Sequence, residues 1–277
     1  ELMMQMESDR MVNLQLDAED ILTERDVIIE ERNTRVENDP GALFREQRNA
    51  AQYLNHRYGV PIIGWRHEME ELSLEDAMAY YDKFYAPNNA ILIVAGDVTP
   101  DEVRALAQEH YGPIPANPDL PERARPEEPL QTAERRLTFR APRVAQPYVS
   151  RTYLAPSYLT GETGHAYALE VLADIFGAGA TSRLYQSLVV ENKIAISAGS
   201  YYAPDARGPG RFSLHASPKP GVSMEALEKA MEAELTKILT QGVSASEVAR
   251  AKKRMRAQAV YARDSLQGGA RALGAAL

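Results

Sequence analysis

The sequence contains no cysteine and only five histidines in 277 residues. Without cysteine, the chain cannot form disulfide bonds, thiolate metal sites or a cysteine nucleophile. No run approaches the roughly 18 consecutive apolar residues that a membrane-spanning helix needs, so no membrane span is expected. Acidic residues outnumber basic ones, with 39 Asp and Glu against 31 Lys and Arg. Nucleic acid is therefore not an expected partner, because its binding depends on clustered cations.

Complete catalytic motifs are missing as well. The histidines form neither a His-x-x-x-His nor a His-x-x-Glu-His pattern. The segment that begins at His67 comes closest to a zinc-protease motif, but Glu71 stands where the second histidine is needed. We therefore interpret His67 as an ordinary loop histidine. No Gly-x-Ser-x-Gly nucleophile elbow occurs either, so simple motif matching does not identify a catalytic centre.

What is present is the composition of a soluble globular protein, with 44% apolar and 25% charged residues. The length suits one or two domains. Residues 116–134 contain four prolines and seven charged residues, a composition that interrupts helices and sheets and favours an extended connection. We therefore predict a first domain over residues 1–115, a linker over 116–135 and a second domain over 136–277.

Hydrophobic periodicity predicts mostly helices before the linker, and one apolar strand at Ala90–Gly96 in the centre of a sheet. After the linker it predicts strands at Arg136–Arg140 and Pro147–Leu154, and an antiparallel pair at Ile194–Tyr202 and Arg211–Ala216. Strands combined with grouped helices indicate an α+β fold. We expect two related α+β sandwich domains, each a mostly antiparallel sheet with helices on one face.

Both ends of the sequence lie inside predicted helices. The chain begins at Glu1 within an amphipathic pattern, and Gln267–Leu277 is a helical run without a capping residue. The first residues also lack the cationic region and cleavage site of a signal peptide. We therefore expect a piece of a longer protein in which both domains are incomplete.

One helical segment places two acids on an apolar stripe. Seven residues advance an α-helix by about two turns, so Glu24 and Glu31 share one stripe with Val27 and Ile28. If that stripe is buried, its carboxylates need partners, and a metal cation is one candidate. Alternatively, both acids reach solvent and pair with neighbouring arginines, as surface helices commonly show. Periodicity leaves both interpretations open.

The segment Glu24-Arg-Asp-Val-Ile-Ile-Glu-Glu31 resembles the helix that carries the third zinc ligand in the pitrilysin/insulinase-like metallopeptidases, which include the mitochondrial processing peptidase. The resemblance implies a Zn²⁺ cofactor, Glu31 as a metal ligand and Glu24 as a supporting acid in the second shell of the metal. Three further segments are similar to the family in collinear order and extend the resemblance to nearly the whole chain: Tyr58–Gly64, Tyr81–Asp97 and Ser182–Leu188.

The sequence departs from the family pattern in two ways. The family's His-x-x-Glu-His motif, which supplies two ligands and the general base, would lie upstream of Glu1, so this chain has no catalytic residue of its own. Active single-chain relatives also carry an Arg and a Tyr that bind the substrate backbone, whereas this sequence has Val189 and Ile196 at those positions. Neither side chain can form hydrogen bonds. The resemblance therefore implies that a homologous partner subunit supplies the missing pair.

The expected function is that of a zinc-dependent endopeptidase subunit, the metal-bearing half of a heterodimer acting on unfolded peptides. This chain alone is expected to be inactive. The alternative is an inactive family member that serves as a scaffold or assembly subunit. The resemblance to bacterial relatives favours the periplasm or another exported location, with the cytoplasm as the alternative.

Overall fold

The computed structural model describes residues 1–265 and 267–276. In chain order the helices are α1 (Leu2–Arg10), α2 (Ala18–Arg32), α3 (Pro40–Gln52), α4 (Arg66–Glu70), α5 (Leu74–Phe84), α6 (Pro100–His110), α7 (Thr163–Gly177), α8 (Arg183–Tyr185), α9 (Met224–Gln241), α10 (Ala245–Tyr261) and α11 (Gly268–Ala276). The strands are β1 (Val149–Ala155), β2 (Ala195–Tyr202) and β3 (Gly210–Pro218). Within the described residues, no helix is long and apolar enough to cross a membrane.

The chain divides into two compact units. The first comprises Glu1–Pro126, Gln131–Leu137 and the residues from Tyr261 onward, and the second comprises Glu127–Leu130 and Thr138–Val260. The domain boundaries that we place at residues 115 and 136 stay a prediction. Residues 116–135 form neither helix nor strand.

Two helices of the first unit begin with a capping box that the sequence displays. Ser73 and Thr99 begin α5 and α6, and each forms the reciprocal hydrogen bonds of a capping box with an acid three residues later. Such a box satisfies two of the amide groups that a helix leaves unpaired at its N-terminus. In both cases the pattern of a Ser or Thr followed three residues later by an acid is visible in the sequence.

The predicted central strand at Ala90–Gly96 is wrong for the described residues, since the segment carries no strand pairing. Its apolar side chains face solvent, with Ile91 58% and Leu92 47% exposed. A strand exists only through hydrogen bonds to a neighbouring strand, and no described segment of the first unit pairs with it. The predicted strand at Arg136–Arg140 is likewise irregular.

The segment that follows α6 is hydrogen-bonded to earlier parts of the first unit. Asn117 and Asn88 exchange two hydrogen bonds, each of 2.9 Å, between the side chain of Asn88 and the backbone of Asn117. Further along, Arg135 donates to the carbonyl oxygen of Gln52 at 3.2 Å, where α3 ends and its last carbonyls lack helical partners. The proline-rich segment is therefore bonded at separate points to the helices of the first unit.

The second unit contains a three-stranded antiparallel sheet with the strand order β1-β3-β2. The α+β class is confirmed, as is the antiparallel pairing of β2 with β3. Alternate residues of β3 are buried, including Phe212, Leu214 and Ala216. They face a core formed with α7, α8 and α9, so the helices cover one side of the sheet.

One glycine sets how closely α7 approaches the sheet. A Cβ atom at Gly177, the last residue of α7, would lie 1.8 Å from the backbone nitrogen of Ser200 in β2. No real Cβ contact is that short, so a larger residue would push the helix off the strand. The end of α7 can therefore cross β2 only with glycine at this position.

We expect Gly177→Ala to lower the free energy of unfolding by about 3 kcal/mol, because the added methyl group overlaps the β2 backbone. Urea unfolding followed by circular dichroism measures the change. Gly164→Ala, in the first turn of the same helix and with nothing within 4 Å of its Cβ, is the matched control and should change stability by less than about 1 kcal/mol. Equal effects at both positions would contradict the packing argument.

Candidate functional site

The acids singled out by sequence lie on α2, whose N-terminus is firmly capped. The Asp17 carboxylate accepts the backbone amides of Glu19 at 2.8 Å and Asp20 at 2.9 Å. The Asp20 carboxylate in turn accepts the amide of Asp17 at 3.0 Å. At its other end, α2 passes directly into a π-helical turn at Asn33–Glu37. The helix is therefore capped at its start and changes geometry at Asn33, two residues after Glu31.

Glu24 and Glu31 lie on a solvent-accessible side of α2. Glu24 is exposed, and Val27 between them is 55% exposed. The Glu31 side chain is 40% exposed and forms a 2.9 Å ion pair with Arg35, one turn later. The interpretation of this stripe as buried is wrong for the described residues, because Glu24 and more than half of Val27 are exposed to solvent. The roles of Glu31 as a ligand and Glu24 as a supporting acid stay predictions.

The buried charge of α2 is Arg32, one of the neighbouring arginines that the surface interpretation of this helix places beside the acids. Arg32 is 3% exposed. Its guanidinium donates to both carboxylate oxygens of Glu46 on α3, at 2.9 and 3.0 Å, to Glu37 at 3.0 Å and to the carbonyl oxygen of Gly64 at 2.8 Å. The hydrogen bond to Glu46 raises the pKa of Arg32, so the side chain is charged at any ordinary pH.

Two other arginines brace α2 from the same side. Arg25 donates to the carbonyl oxygens of Glu70 at 3.2 Å and Leu72 at 3.5 Å, in the turn between α4 and α5. Arg66 of α4 donates to the side-chain oxygen of Asn33 at 2.7 Å. The rotation of α2 about its axis is thereby fixed. Glu31 is presented outward by a helix that cannot easily turn.

The described residues do not make a complete zinc site. They contain no group of three or more His, Cys, Asp or Glu side chains placed to hold a metal ion. A zinc site needs three or four such ligands, and Glu31 offers one carboxylate. His67 is exposed, as its interpretation as an ordinary histidine implies, but it lies in the short helix α4 and not in a loop. Any metal held at Glu31 would need ligands beyond those described.

In the second unit, Arg183 of the Ser182–Leu188 segment forms an ion pair with Glu247, and we call this pair the clamp. Arg183 makes a bidentate ion pair with Glu247 on α10, at 2.7 and 2.8 Å, and donates to the carbonyl oxygen of Gly242 at 3.0 Å. Glu247 also accepts from the backbone and hydroxyl of Ser244. Arg183 therefore fixes the turn between α9 and α10. Its hydrogen bonds lower the pKa of Glu247 from 4.5 to about 2.

Val189 and Ile196, the positions at which the resemblance predicts that the Arg and Tyr are missing, lie on separate elements of the second unit. Val189 belongs to a π-helical turn, Gln186–Glu191, and packs against the core. Ile196 lies on β2 and is 48% exposed. The π-helical turn is held by Ser187, whose hydroxyl donates to the buried carboxylate of Glu234 at 2.8 Å. Neither Val189 nor Ile196 offers a polar side-chain atom.

Residues 71–255 match a family described as the peptidase M16 inactive domain. Among curated proteins, the chain is 29% identical over 246 residues to the zinc protease PqqE of Helicobacter pylori, covering 87% of this chain and 54% of that protein. It is 26% identical to an uncharacterized zinc protease of Mycobacterium leprae, over 92% of this chain and 56% of that protein. The chain thus spans about half the length of these relatives.

Solved structures agree with the sequence matches. The crystal structure of a protease from Helicobacter pylori superposes with a TM-score of 0.84 at 26% identity, covering 99% of this chain and 65% of that one. The periplasmic protease PqqL from Escherichia coli superposes with a TM-score of 0.76 at 19% identity, covering 99% of this chain and 30% of that one. At that identity the second comparison shows a shared fold alone.

Because Arg32 is buried and hydrogen-bonded, we predict that replacing it destabilises the first unit strongly. We expect Arg32→Met to lower the unfolding free energy of the first unit by about 3–5 kcal/mol, because Glu46 then keeps a buried charge without its partner. Trp65, the single tryptophan of the chain, adjoins Gly64 and reports this unit by its fluorescence in urea. Arg35→Met, whose side chain is 72% exposed, is the control and should cost less than about 0.5 kcal/mol.

The clamp at Glu247 predicts an acid-dependent stability. A carboxyl group whose folded pKa is about 2 against 4.5 unfolded stabilises the fold above pH 4.5, and this stabilisation is lost as the pH falls towards 2. We expect Glu247→Gln to lower stability by about 1–3 kcal/mol at pH 7 and to flatten the acid part of the profile. Unfolding by urea between pH 2.5 and pH 7, with exposed Glu191→Gln as control, measures both effects. An unchanged acid slope would contradict this assignment.

Proposed function

The chain belongs to the M16 peptidase family, and on that premise we propose that it is part of a zinc-dependent endopeptidase subunit in which Glu31 is one metal ligand. The observation that carries the proposal is the contrast between two adjacent residues. Arg32 is locked in the core by four hydrogen bonds, whereas Glu31 is displayed on the open side of the same turn. A rigid helix that presents an accessible carboxylate is what a metal site requires of its scaffold.

The arrangement of the acids supports this role. Glu24 lies seven residues before Glu31 on the same side of α2, about 10 Å away along the helix axis. Its proposed role is to accept a hydrogen bond from a ligand histidine from outside the coordination sphere, which would fix the ring and raise its basicity. The remaining ligands and the general base would come from residues beyond this sequence. The relatives named zinc proteases support zinc as the metal.

We further propose that a homologous partner subunit completes the substrate site. The two positions where the family's substrate-binding Arg and Tyr are expected hold Val189 and Ile196, and a hydrocarbon side chain cannot donate to a peptide carbonyl. The sheet supports binding of extended, unfolded peptides, because β1 and β2 flank β3 and each has an edge without a described partner strand. An extended peptide can add to such an edge through backbone hydrogen bonds.

For location we propose the bacterial periplasm or another exported compartment. The support is the fold shared with PqqL of Escherichia coli, which is described as a periplasmic protease. The absence of cysteine is compatible with an oxidising environment.

The test is the metal content of the full-length parent protein and of Glu31→Gln, measured by elemental analysis after dialysis. We expect about one zinc per wild-type chain and its loss in Glu31→Gln. Glu30→Gln is the matched control, since Glu30 is an exposed acid on the adjacent position of α2 and should keep the metal. Peptide hydrolysis should then depend on zinc and rise when the partner subunit is added.

Two results would overturn the proposal. If the wild-type parent holds no zinc, the scaffold alternative takes its place. If Glu31→Gln keeps its zinc while Glu30→Gln loses it, the ligand has been assigned to the wrong acid of α2. If the parent protein is fully active without any partner subunit, the heterodimer proposal is wrong, whatever the zinc measurements show.

A further inference from the structure

The first unit contains an open cleft of about 520 Å³ between α5, the loop that follows α1 and the turn before α5. Its lining combines aromatic and aliphatic side chains with one carboxylate: Leu14, Leu72, Asp76, Ala77, Tyr80, Tyr81 and Tyr85. The volume is in the range of sites that bind small molecules or single side chains of a partner. Neither the acids of α2 nor the proposed metal site contributes to it.

The cleft is held open by specific hydrogen bonds. The hydroxyl group of Tyr81 donates to the carbonyl oxygen of Arg10 at 2.9 Å and accepts the backbone amide of Leu14 at 3.2 Å. These bonds attach the loop after α1 to α5 and so position Leu14 as one wall. Leu72 on the other side is fixed by the bond from Arg25 to its carbonyl oxygen. The cleft is thus a built feature of the fold.

The aromatic rings of the cleft are ordered yet accessible. The rings of Tyr85 and Tyr81 pack in a tilted arrangement with 5.0 Å between their centroids, and those of Tyr80 and Phe84 do so at 4.7 Å. These contacts restrain the rings, but Tyr80 remains 61% and Tyr85 50% exposed. The negative faces of aromatic rings attract cations, and the attraction grows where water is displaced.

Asp76 is the charged residue among the lining side chains. One of its carboxylate oxygens, Oδ2, accepts from the backbone amide of Ser73 at 3.1 Å and from its hydroxyl at 2.7 Å. These hydrogen bonds lower the pKa of Asp76, which keeps the carboxylate ionised. The other oxygen, Oδ1, has no hydrogen-bond partner in the described part of the chain, so it can accept a bond from a ligand. No Lys, Arg or His is among the lining residues.

We propose that this cleft binds an organic cation, namely the side chain of a lysine or arginine from a peptide. The cationic group would bond to Oδ1 of Asp76 beside the tyrosine rings, and its aliphatic stem would pack between Leu14 and Leu72. Charge complementarity selects this occupant, since an ionised carboxylate among aromatic rings matches a cation on a hydrocarbon stem. The proposal does not depend on metal binding and stands if the peptidase assignment fails.

The test uses the intact chain and three capped pentapeptides, Gly-Ala-X-Ala-Gly, in which X is arginine, lysine or citrulline. Citrulline has the shape of arginine without its charge. Titrations followed by ligand-observed NMR give the dissociation constants. We expect the arginine and lysine peptides to bind at least about tenfold more tightly than the citrulline peptide, and this preference to fall as salt is added.

Variants locate the binding. Tyr80→Ala and Tyr85→Ala should each weaken arginine-peptide binding severalfold, whereas Tyr201→Ala, an equally exposed tyrosine of the second unit (60%), should not. Asp76→Asn should remove the preference over citrulline, while Glu75→Gln on the neighbouring position of α5 should keep it. Circular dichroism verifies that Asp76→Asn retains its helix, and the tyrosine variants test the site without touching the cap.

Three results would each overturn the proposal. Absence of binding by all three peptides would show that the cleft takes no such side chain. Equal affinity for arginine and citrulline would show an apolar groove without selectivity for charge. Tight arginine binding that survives both Tyr80→Ala and Tyr85→Ala would place the cation elsewhere on this acidic chain.

Discussion

The guanidinium group of Arg32 is the interaction on which the first unit depends. It joins α2, α3, the π-helical turn and the loop at Gly64 through four hydrogen bonds. Since burying a charge is costly unless it is paired and hydrogen-bonded, these bonds favour one relative arrangement of the four segments. The outward direction of Glu31, which adjoins Arg32 in sequence, is a consequence of that constraint.

Local features of the fold could be predicted from the sequence, and features that depend on distant partners could not. The caps at Ser73 and Thr99 involve residues three positions apart, so their pattern is visible in the sequence. The strand at Ala90–Gly96 needed a distant neighbour, which the sequence cannot indicate. Arg32 was missed because arginine is usually exposed, although it lies four residues after Ile28, on the side of α2 that packs against the unit.

The candidate site was predicted only through the family resemblance. Periodicity alone could not decide whether Glu31 is a metal ligand or part of a surface ion pair. Its ion pair with Arg35 shows the reason, because an arginine one turn away on a helix surface readily pairs with an acid. Each unit has a π-helical turn close to a position that the resemblance identifies. In the first unit the turn Asn33–Glu37 follows Glu31, and in the second the turn Gln186–Glu191 contains Val189. Such turns cost helical hydrogen bonding and are frequent at functional sites, and here polar clusters stabilise both.

The unpaired apolar segment at Ala90–Ala95 has a practical consequence for anyone handling this chain by itself. Its six consecutive residues include no charged residue, proline or glycine. Three of them, Ile91, Leu92 and Val94, have exposed apolar side chains. This is the composition of an aggregation-prone stretch. The net charge of −8 comes from residues elsewhere in the chain, since none of these six residues is charged. This short segment is therefore a local aggregation risk in the isolated chain, and Leu92→Lys would place a charge in the middle of it.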